Sequence, residues 1–409
     1  MEITAAVEKL LSERFAGKVR LNSAEEIRSS HRSQVSRYLV LEGPPGAPQS
    51  VIVKQAIAVG REVYDPDRPD GPAWRLFNEW AGLQFLTETC GDASPAPQFY
   101  AGDRDRGFLV LEDLGTCIRL DQVLLGDDPR AAEAMLVVFA ATLGRMHALT
   151  LGKQAEFERI RGSLGPRAQP QQGGSGNRLA TMLREMAQIA GVEPALGIDE
   201  ELSNVARNLA EPGPFRAYLH RDPCPDNCLR TDEGVKLIDH EFGGYGHALQ
   251  DGIYGRIHFP SCWCVNRLPE QLPLRMEAAY RAELSKGCHE APEIMPEIMP
   301  EIMDDAQFYR AVVETCAACL IISHHAQSLL RDDRWGISTM RQRALLRFDI
   351  FWKLTEEHDH LKAVGATVRA MAEKLRAQWP AEAGEMPYYP AFRGRSHDAS
   401  YRPAGEADQ

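Results

Sequence analysis

The sequence predicts an α+β fold of two lobes, a small one built on an antiparallel sheet and a large, mainly helical one. Three observations predict it. A chain of 409 residues is too long for one simple core. Strand-like runs concentrate near the N-terminus, whereas helical spacing dominates the rest. One hairpin pattern, near residues 228–238, interrupts the helical part and carries a dense set of acids and amides.

Residues 1–20 read as an amphipathic helix. The opening MEITAAVEKLLSERF lacks the basic start and apolar block of a secretory signal. Gln34 to Leu41 has strand character, EGPPGAPQ is a turn, and SVIVK at 50–54 is a β-branched strand, so the three form a hairpin. Residues 61–74 are rich in Pro and Asp and read as loop; a helix follows from Arg75 to Glu88. GFLVLEDL at 107–114 is a buried strand leaving into a loop. Residues 130–149 form a helix with Met135, Phe139 and Leu143 on one face. Residues 161–178 read as a long polar loop, Leu179 to Ala210 as helix, and 270–378 as mainly helical. The tandem EIMPEIMPEIM at 293–303 cannot be regular helix, because proline recurs every fourth residue. The expected division is an N-lobe over 1–114, a C-lobe over 115–380 and a loosely ordered tail over 381–409.

The net charge of −12 argues against a nucleic-acid partner, which needs a basic face. No apolar run approaches a membrane span; the longest, Met135 to Leu143, is followed at once by Arg145 and His147. No membrane partner is expected, and a cytoplasmic location follows by default. Nine scattered cysteines, an odd number, fit reduced thiols rather than a disulfide framework.

The chemistry concentrates in AYLHRDPCPDNCLRTDEGVKLIDHEFGGYGH. His220, Asp222 and Asn227 share a Pro-bearing loop. Strands at Cys228–Arg230 and Val235–Ile238 flank the turn TDEG. A hairpin returns the chain to its starting level, so Asn227 and Asp239 sit side by side. An amide oxygen and a carboxylate together suit Mg²⁺. Asp222 stands one loop-width away, where a base would accept a hydroxyl proton. Each residue alone is as well explained as a turn cap; the set in this order is not.

His-x-Asp-x-x-x-x-Asn followed by a strand and Ile-Asp-x-Glu resembles the signature of the aminoglycoside phosphotransferase and choline-kinase-like family, a branch of the protein-kinase fold. The resemblance covers most of residues 20–350. It implies an ATP-dependent small-molecule kinase with Asp222 as catalytic base and with Asn227 and Asp239 holding Mg²⁺ on the ATP phosphates. Glu241 would be a further metal ligand or would support one, and Asp251 in ALQDGIY a structural aspartate. The acceptor would be a small-molecule hydroxyl, as in an aminoglycoside, another hydroxylated antibiotic or a metabolite, and antibiotic resistance is one role it implies.

The N-terminal half supplies a separate test. Such kinases need a strand lysine oriented by a helical glutamate. Lys54 ends the strand VIVK. At 100° per residue Glu79 falls between Leu83 and Leu86 on an apolar stripe, where a carboxylate needs a partner. GFLVLEDLG resembles the family's hinge, which implies adenine contacts from backbone near Glu112 to Leu114. The phosphate-covering segment, residues 29–40, contains no glycine, so Ser30 or Ser33 would supply donors instead. No Ala-Pro-Glu segment follows Asp239, which disfavours a protein kinase; retention of lysine, base and both metal ligands disfavours a non-catalytic scaffold. The close cysteine pairs do not have the flanks of a zinc site. In FPSCWCVNRLP, Trp263 and Asn266 are candidates for the acceptor pocket, with core packing as the alternative.

Overall fold

The computed structural model describes residues 2–29, 32–57, 64–69, 71–167, 176–290, 304–324, 326–379 and 385–394. The chain begins with helix α1 (Glu2–Arg14), short strand β1 (Arg20–Leu21), and strands β2 (Glu25–Ser29), β3 (Ser33–Glu42) and β4 (Ser50–Ala56). Helix α2 (Ala73–Cys90), β5 (Phe99–Asp103) and β6 (Phe108–Glu112) complete the first lobe. Its antiparallel sheet runs β1-β3-β4-β6-β5, with β2 paired to β3. Alternation along β4 sends Val51 and Val53 to one face and Lys54 to the other. The valines join Val7, Leu11, Tyr38, Phe108 and Val110 in a core beneath α1. α2 covers the opposite face with Leu76, Leu83 and Leu86.

The second lobe contains β7 (Ile118–Arg119), α3 (Leu120–Leu124), α4 (Pro129–Thr150), α5 (Gln154–Leu164), α6 (Gly176–Ala190) and α7 (Ile198–Ala210). Then come β8 (Arg216–Leu219), β9 (Cys228–Thr231), β10 (Gly234–Leu237), β11 (Gly244–His247), α8 (Leu249–Gly252) and α9 (Gln271–Glu290). Longer helices follow at Asp305–Ser323, Met340–Glu357 and Lys362–Gln378. Asp128 caps α4, accepting from the backbone N–H groups of Arg130 and Ala131, and Pro129 sits at its first position. The order, a sheet lobe and then a helical lobe, is the kinase-like architecture expected.

Several expectations change. Two helices, Pro129–Thr150 and Asp305–Ser323, are each long and apolar enough to cross a membrane, so the apolar stretch exceeds the Met135–Leu143 run. More than half of each apolar window is buried inside the fold, where packing between helices demands the same composition. The start of the polar loop, residues 161–164, is helical, since α5 runs to Leu164. Residues 385–394, assigned to a loose tail, dock against the second lobe. Arg267 N donates to Pro387 O, Tyr389 N donates to Arg267 O, and Tyr389 and Phe392 are buried. The EIMPEIMPEIM repeat and Ser30 lie outside the described residues.

Candidate active site

The cation on β4 meets two acids. Lys54 Nζ lies 2.6 Å from Glu79 Oε2 and 2.5 Å from Asp239 Oδ1. Glu79 is only 2% exposed, so its position in the apolar stripe of α2 is tolerable because Lys54 neutralises it. Burial pushes the Glu79 carboxyl up to about 7, against the downward pull of Lys54. Burial alone would lower the Lys54 ammonium; Glu79 and Asp239 outweigh it and hold it above its ordinary value. Burial likewise opposes ionisation of Asp239, but Lys54 prevails and keeps its carboxyl below the usual range. Asp239 is therefore anionic where the lobes meet.

The hairpin that delivers Asp239 has the expected form. Cys228 pairs with Leu237 and Thr231 with Gly234 across a two-residue turn. One step beyond the ladder, Ile238 N donates to Asn227 O at 2.9 Å, which sets Asn227 next to Asp239. The Asn227 amide nitrogen donates to Asp222 O at 3.0 Å, which fixes the amide and leaves its oxygen to face elsewhere.

The loop between β8 and β9 is tied down from three sides. His220 Nδ1 accepts from Asp222 N at 3.3 Å, so its Nε2–H donates to Ile238 O at 2.9 Å. Asp251 accepts from His220 N at 2.6 Å and from Arg221 N at 3.0 Å. Arg221 needs this hold, because its φ of 66° is unfavourable for a long side chain. Asp239, at φ 68°, is also left-handed, which an aspartate tolerates better. Packing beneath the loop is close: a Cβ at Gly82 or Gly243 would collide with the hydroxyl of Tyr218.

Asp222 faces a wall in which the sequence marks Trp263 and Asn266 but not Ser261, the residue that touches it. Ser261 Oγ donates to Asp222 Oδ1 at 2.6 Å, and Tyr254 Oη lies 3.2 Å from Ser261 Oγ. Burial raises the Asp222 carboxyl, and Asp226 and Asp239 add to that, while the Ser261 hydrogen bond acts in the opposite direction. The wall is strained and braced. His258 and Phe259 have φ of 55° and 52°. Buried Arg347 donates to Ile257 O at 3.1 Å, and buried Arg343 donates to Cys262 O at 2.8 Å and to Trp335 O at 2.7 Å. Two guanidiniums thus hold a segment whose own backbone geometry is unfavourable.

The thiol expectation fails here. Cys224 and Cys262 form a disulfide joining the Asp222 loop to this wall. It pairs one cysteine from each of two close sequence pairs, which spacing alone could not foretell. Cys224 Sγ stands 3.2 Å from Asp222 Oδ1, a contact and not a hydrogen bond once the sulfur is oxidised.

The remaining predicted residues divide. Ser33, Lys54, Glu79 and Glu241 line one cleft with Trp74 and Arg75. Glu241 pairs with Arg75 Nη1 at 2.9 Å. Glu112 and Leu114 do not line that cleft. Glu112 closes β6 and its carboxylate accepts from Gln98 N at 3.0 Å, while Leu114 O receives Cys117 Sγ at 3.1 Å. The adjoining Asp113, which the sequence reading passed over, accepts from Arg37 Nε at 2.6 Å and Ser50 Oγ at 2.7 Å. Trp263 Nε1 donates to Asp226 Oδ2 at 3.3 Å, and Asn266 is buried; neither lines the cavity beside Ser261. Among the described residues no three His, Cys, Asp or Glu gather as a metal centre. The pair Asn227 and Asp239 still fits Mg²⁺, which takes one or two protein carboxylates together with substrate phosphates. Asp239 is ionised, and the Asn227 amide is oriented by its own hydrogen bond.

Solved structures similar to the chain include a putative aminoglycoside phosphotransferase from Ralstonia eutropha JMP134, at 17% identity and TM-score 0.46, covering 91% of this chain and 96% of that one. A choline kinase from Cryptosporidium parvum Iowa II shares 14% identity at TM-score 0.40, covering 87% and 89%. A choline kinase from Streptococcus pneumoniae shares 12% at TM-score 0.37, covering 88% and 99%. No curated protein matches. The model of the phosphotransferase enzyme family matches residues 32–287, a span that holds Lys54, Glu79, the Asp222 loop and the hairpin. The chain belongs to the phosphotransferase enzyme family.

Proposed function

We propose that the chain transfers the γ-phosphoryl group of ATP to a hydroxyl of a small molecule. One observation carries this reading: Lys54 of the sheet lobe reaches Glu79 and Asp239 together, beside the loop that carries Asp222 and Asn227. Phosphoryl transfer needs positioning and charge neutralisation more than covalent chemistry. Lys54, oriented by Glu79, would hold phosphate oxygens, with Ser33 at the lip of the same cleft. Backbone groups from Glu112 to Leu114 would meet the adenine. Asn227 and Asp239 would hold Mg²⁺, which neutralises phosphate charge when bound. Glu241, paired with Arg75, would support that site. Asp222, its Oδ1 held by Ser261, would orient the acceptor hydroxyl and take its proton.

On this reading residues 1–114 are the nucleotide lobe and 115–380 the catalytic lobe, acting in the cytoplasm, where ATP is abundant. A small acceptor is favoured over a protein substrate by the chain after Asp239. β11 starts at Gly244 and α8 at Leu249, which leaves no room for a long substrate-binding segment.

The test is product detection by mass spectrometry with wild type and Asp222→Ala. Removing the base should cost about 10²–10⁴-fold in turnover while calorimetry still shows Mg·ATP binding. Undiminished turnover in Asp222→Ala would sink the assignment.

A further inference from the structure

Resting on the phosphotransferase reading, we infer that the acceptor is an apolar alcohol without clustered amines, bound in the cavity behind Ser261. That cavity, of about 800 Å³, lies between α7, the helix Asp305–Ser323 and the Tyr254–Ser261 wall. It is large enough for a drug-sized molecule. Ser261 links it to the chemistry, since the residue both lines the cavity and donates to Asp222 Oδ1. A hydroxyl entering at that end therefore meets Ser261, one hydrogen bond away from the proposed base.

The walls are predominantly apolar: Leu209, Tyr245, Tyr254, Ala318, Ile322 and Trp335. Ile322 is 58% exposed and Trp335 is 43% exposed, so a ligand lying against them would remove apolar surface from water. The charged groups on the described walls are Arg216, Arg221 and Asp251. Asp251 is fully buried and its two oxygens already accept from the backbone of His220 and Arg221. Arg221 donates to Tyr245 O at 2.8 Å. The balance is two guanidiniums against one committed carboxylate, which is the wrong sign for a polyamine. An ammonium desolvated there would meet no available carboxylate among these residues and would feel both arginines. Aromatic rings can hold a quaternary ammonium in place of a carboxylate. Here, however, the Trp335 ring is already covered by the Arg343 guanidinium at 4.5 Å. A choline-like cation would have to compete with that charge. A neutral alcohol with a broad hydrocarbon body, its hydroxyl directed at Ser261, has no such conflict.

The test uses the full chain and separates this inference from the reading beneath it. Mg·ATP binding is measured by calorimetry. Acceptor turnover is followed by mass spectrometry with geraniol, a steroid alcohol, kanamycin and choline. Cavity occupancy is read with the neutral apolar fluorophore N-phenyl-1-naphthylamine, displaced by each alcohol. Expected is turnover and fluorophore displacement by the apolar alcohols only. Ile322→Glu, at an exposed position that tolerates a carboxylate, should raise their KM about tenfold or more with Mg·ATP affinity unchanged. Ala318→Trp, which fills the cavity, should do the same. Turnover confined to kanamycin or choline would overturn the inference and leave the phosphotransferase reading standing. Absence of fluorophore displacement by any apolar alcohol would also overturn it. Loss of Mg·ATP binding in the wild type would count against the reading alone, because displacement decides the cavity's chemistry independently.

Discussion

The two sides of the Asp222 loop are built on opposite principles. On the side of Lys54, charge is concentrated: one ammonium between two carboxylates, with Glu241 and Arg75 paired close by in the same cleft. On the side of Ser261, charge is scarce and already committed, and the walls are hydrocarbon and aromatic. On the proposed reading the charged side would cradle a triphosphate, which calls for fixed charges at fixed positions. An acceptor is recognised by shape and by apolar area, which many side-chain combinations supply. The contrast suggests that substitutions on the charged side should abolish function outright. Those on the apolar side should change which molecule is used and how tightly.

The largest effect that breaks this contrast should come from Lys54→Met. It removes the one cation between Glu79 and Asp239 and leaves a carboxylate buried without its partner, at a cost of about 3–5 kcal/mol. Denaturant unfolding should show that cost at neutral pH, together with loss of turnover. The pH dependence has a definite sign. Glu79 has a folded value of about 7 against an ordinary 4.5. A raised carboxyl contributes stability below its unfolded value, and that contribution fades as pH rises toward 7. Without Lys54 the folded value rises further, so the deficit should shrink at acid pH as Glu79 takes up a proton. A deficit independent of pH would show that Glu79 is not the group left unpaired.

Cys262→Ser addresses the join between the two sides. The disulfide closes a loop spanning 38 residues, for which chain entropy predicts about 4 kcal/mol, with measured cases commonly lower. Unfolding of the variant, and of the wild type under reductant, should show matching losses. A non-reducing peptide map should contain the linked Cys224 and Cys262 peptides. Free thiols at both positions in the native protein would remove the bond from the account.

How much was legible in the sequence follows the same division. The hairpin register and the place of Asn227 beside Asp239 came from local spacing, because strand period and turn length determine them, whereas the Lys54–Glu79 contact needed both the helix period that puts Glu79 in an apolar stripe and the kinase resemblance that names its partner. Ser261 did not come from spacing. It reaches Asp222 across 39 residues, on a segment whose left-handed His258 and Phe259 are held by arginines about eighty to ninety positions further along. The unusual composition of FPSCWC did mark the segment, yet it pointed to Trp263 and Asn266 and not to the serine between them and the base. The disulfide was missed for a related reason, since pairing is a property of the folded chain. The docked residues 385–394 read as tail from sequence because of their Pro and Gly content, whereas Tyr389 and Phe392 complete the core.

The smallest and most discriminating effect belongs to Ser261→Ala. Its hydroxyl donates to Asp222 Oδ1 and so favours the ionised carboxylate, while burial and the charges of Asp226 and Asp239 favour the protonated one. Removing the hydroxyl leaves the second set unopposed, and the Asp222 carboxyl must rise further. A base works only when ionised, so the acid limb of the kcat/KM profile should move to higher pH in the variant. At alkaline pH, where Asp222 is ionised in both proteins, the two profiles should converge. The geometry therefore predicts a pH-dependent deficit. A Ser261 that merely packed the wall would lower kcat/KM by the same factor at every pH, and the parallel profiles would exclude a role in setting the base.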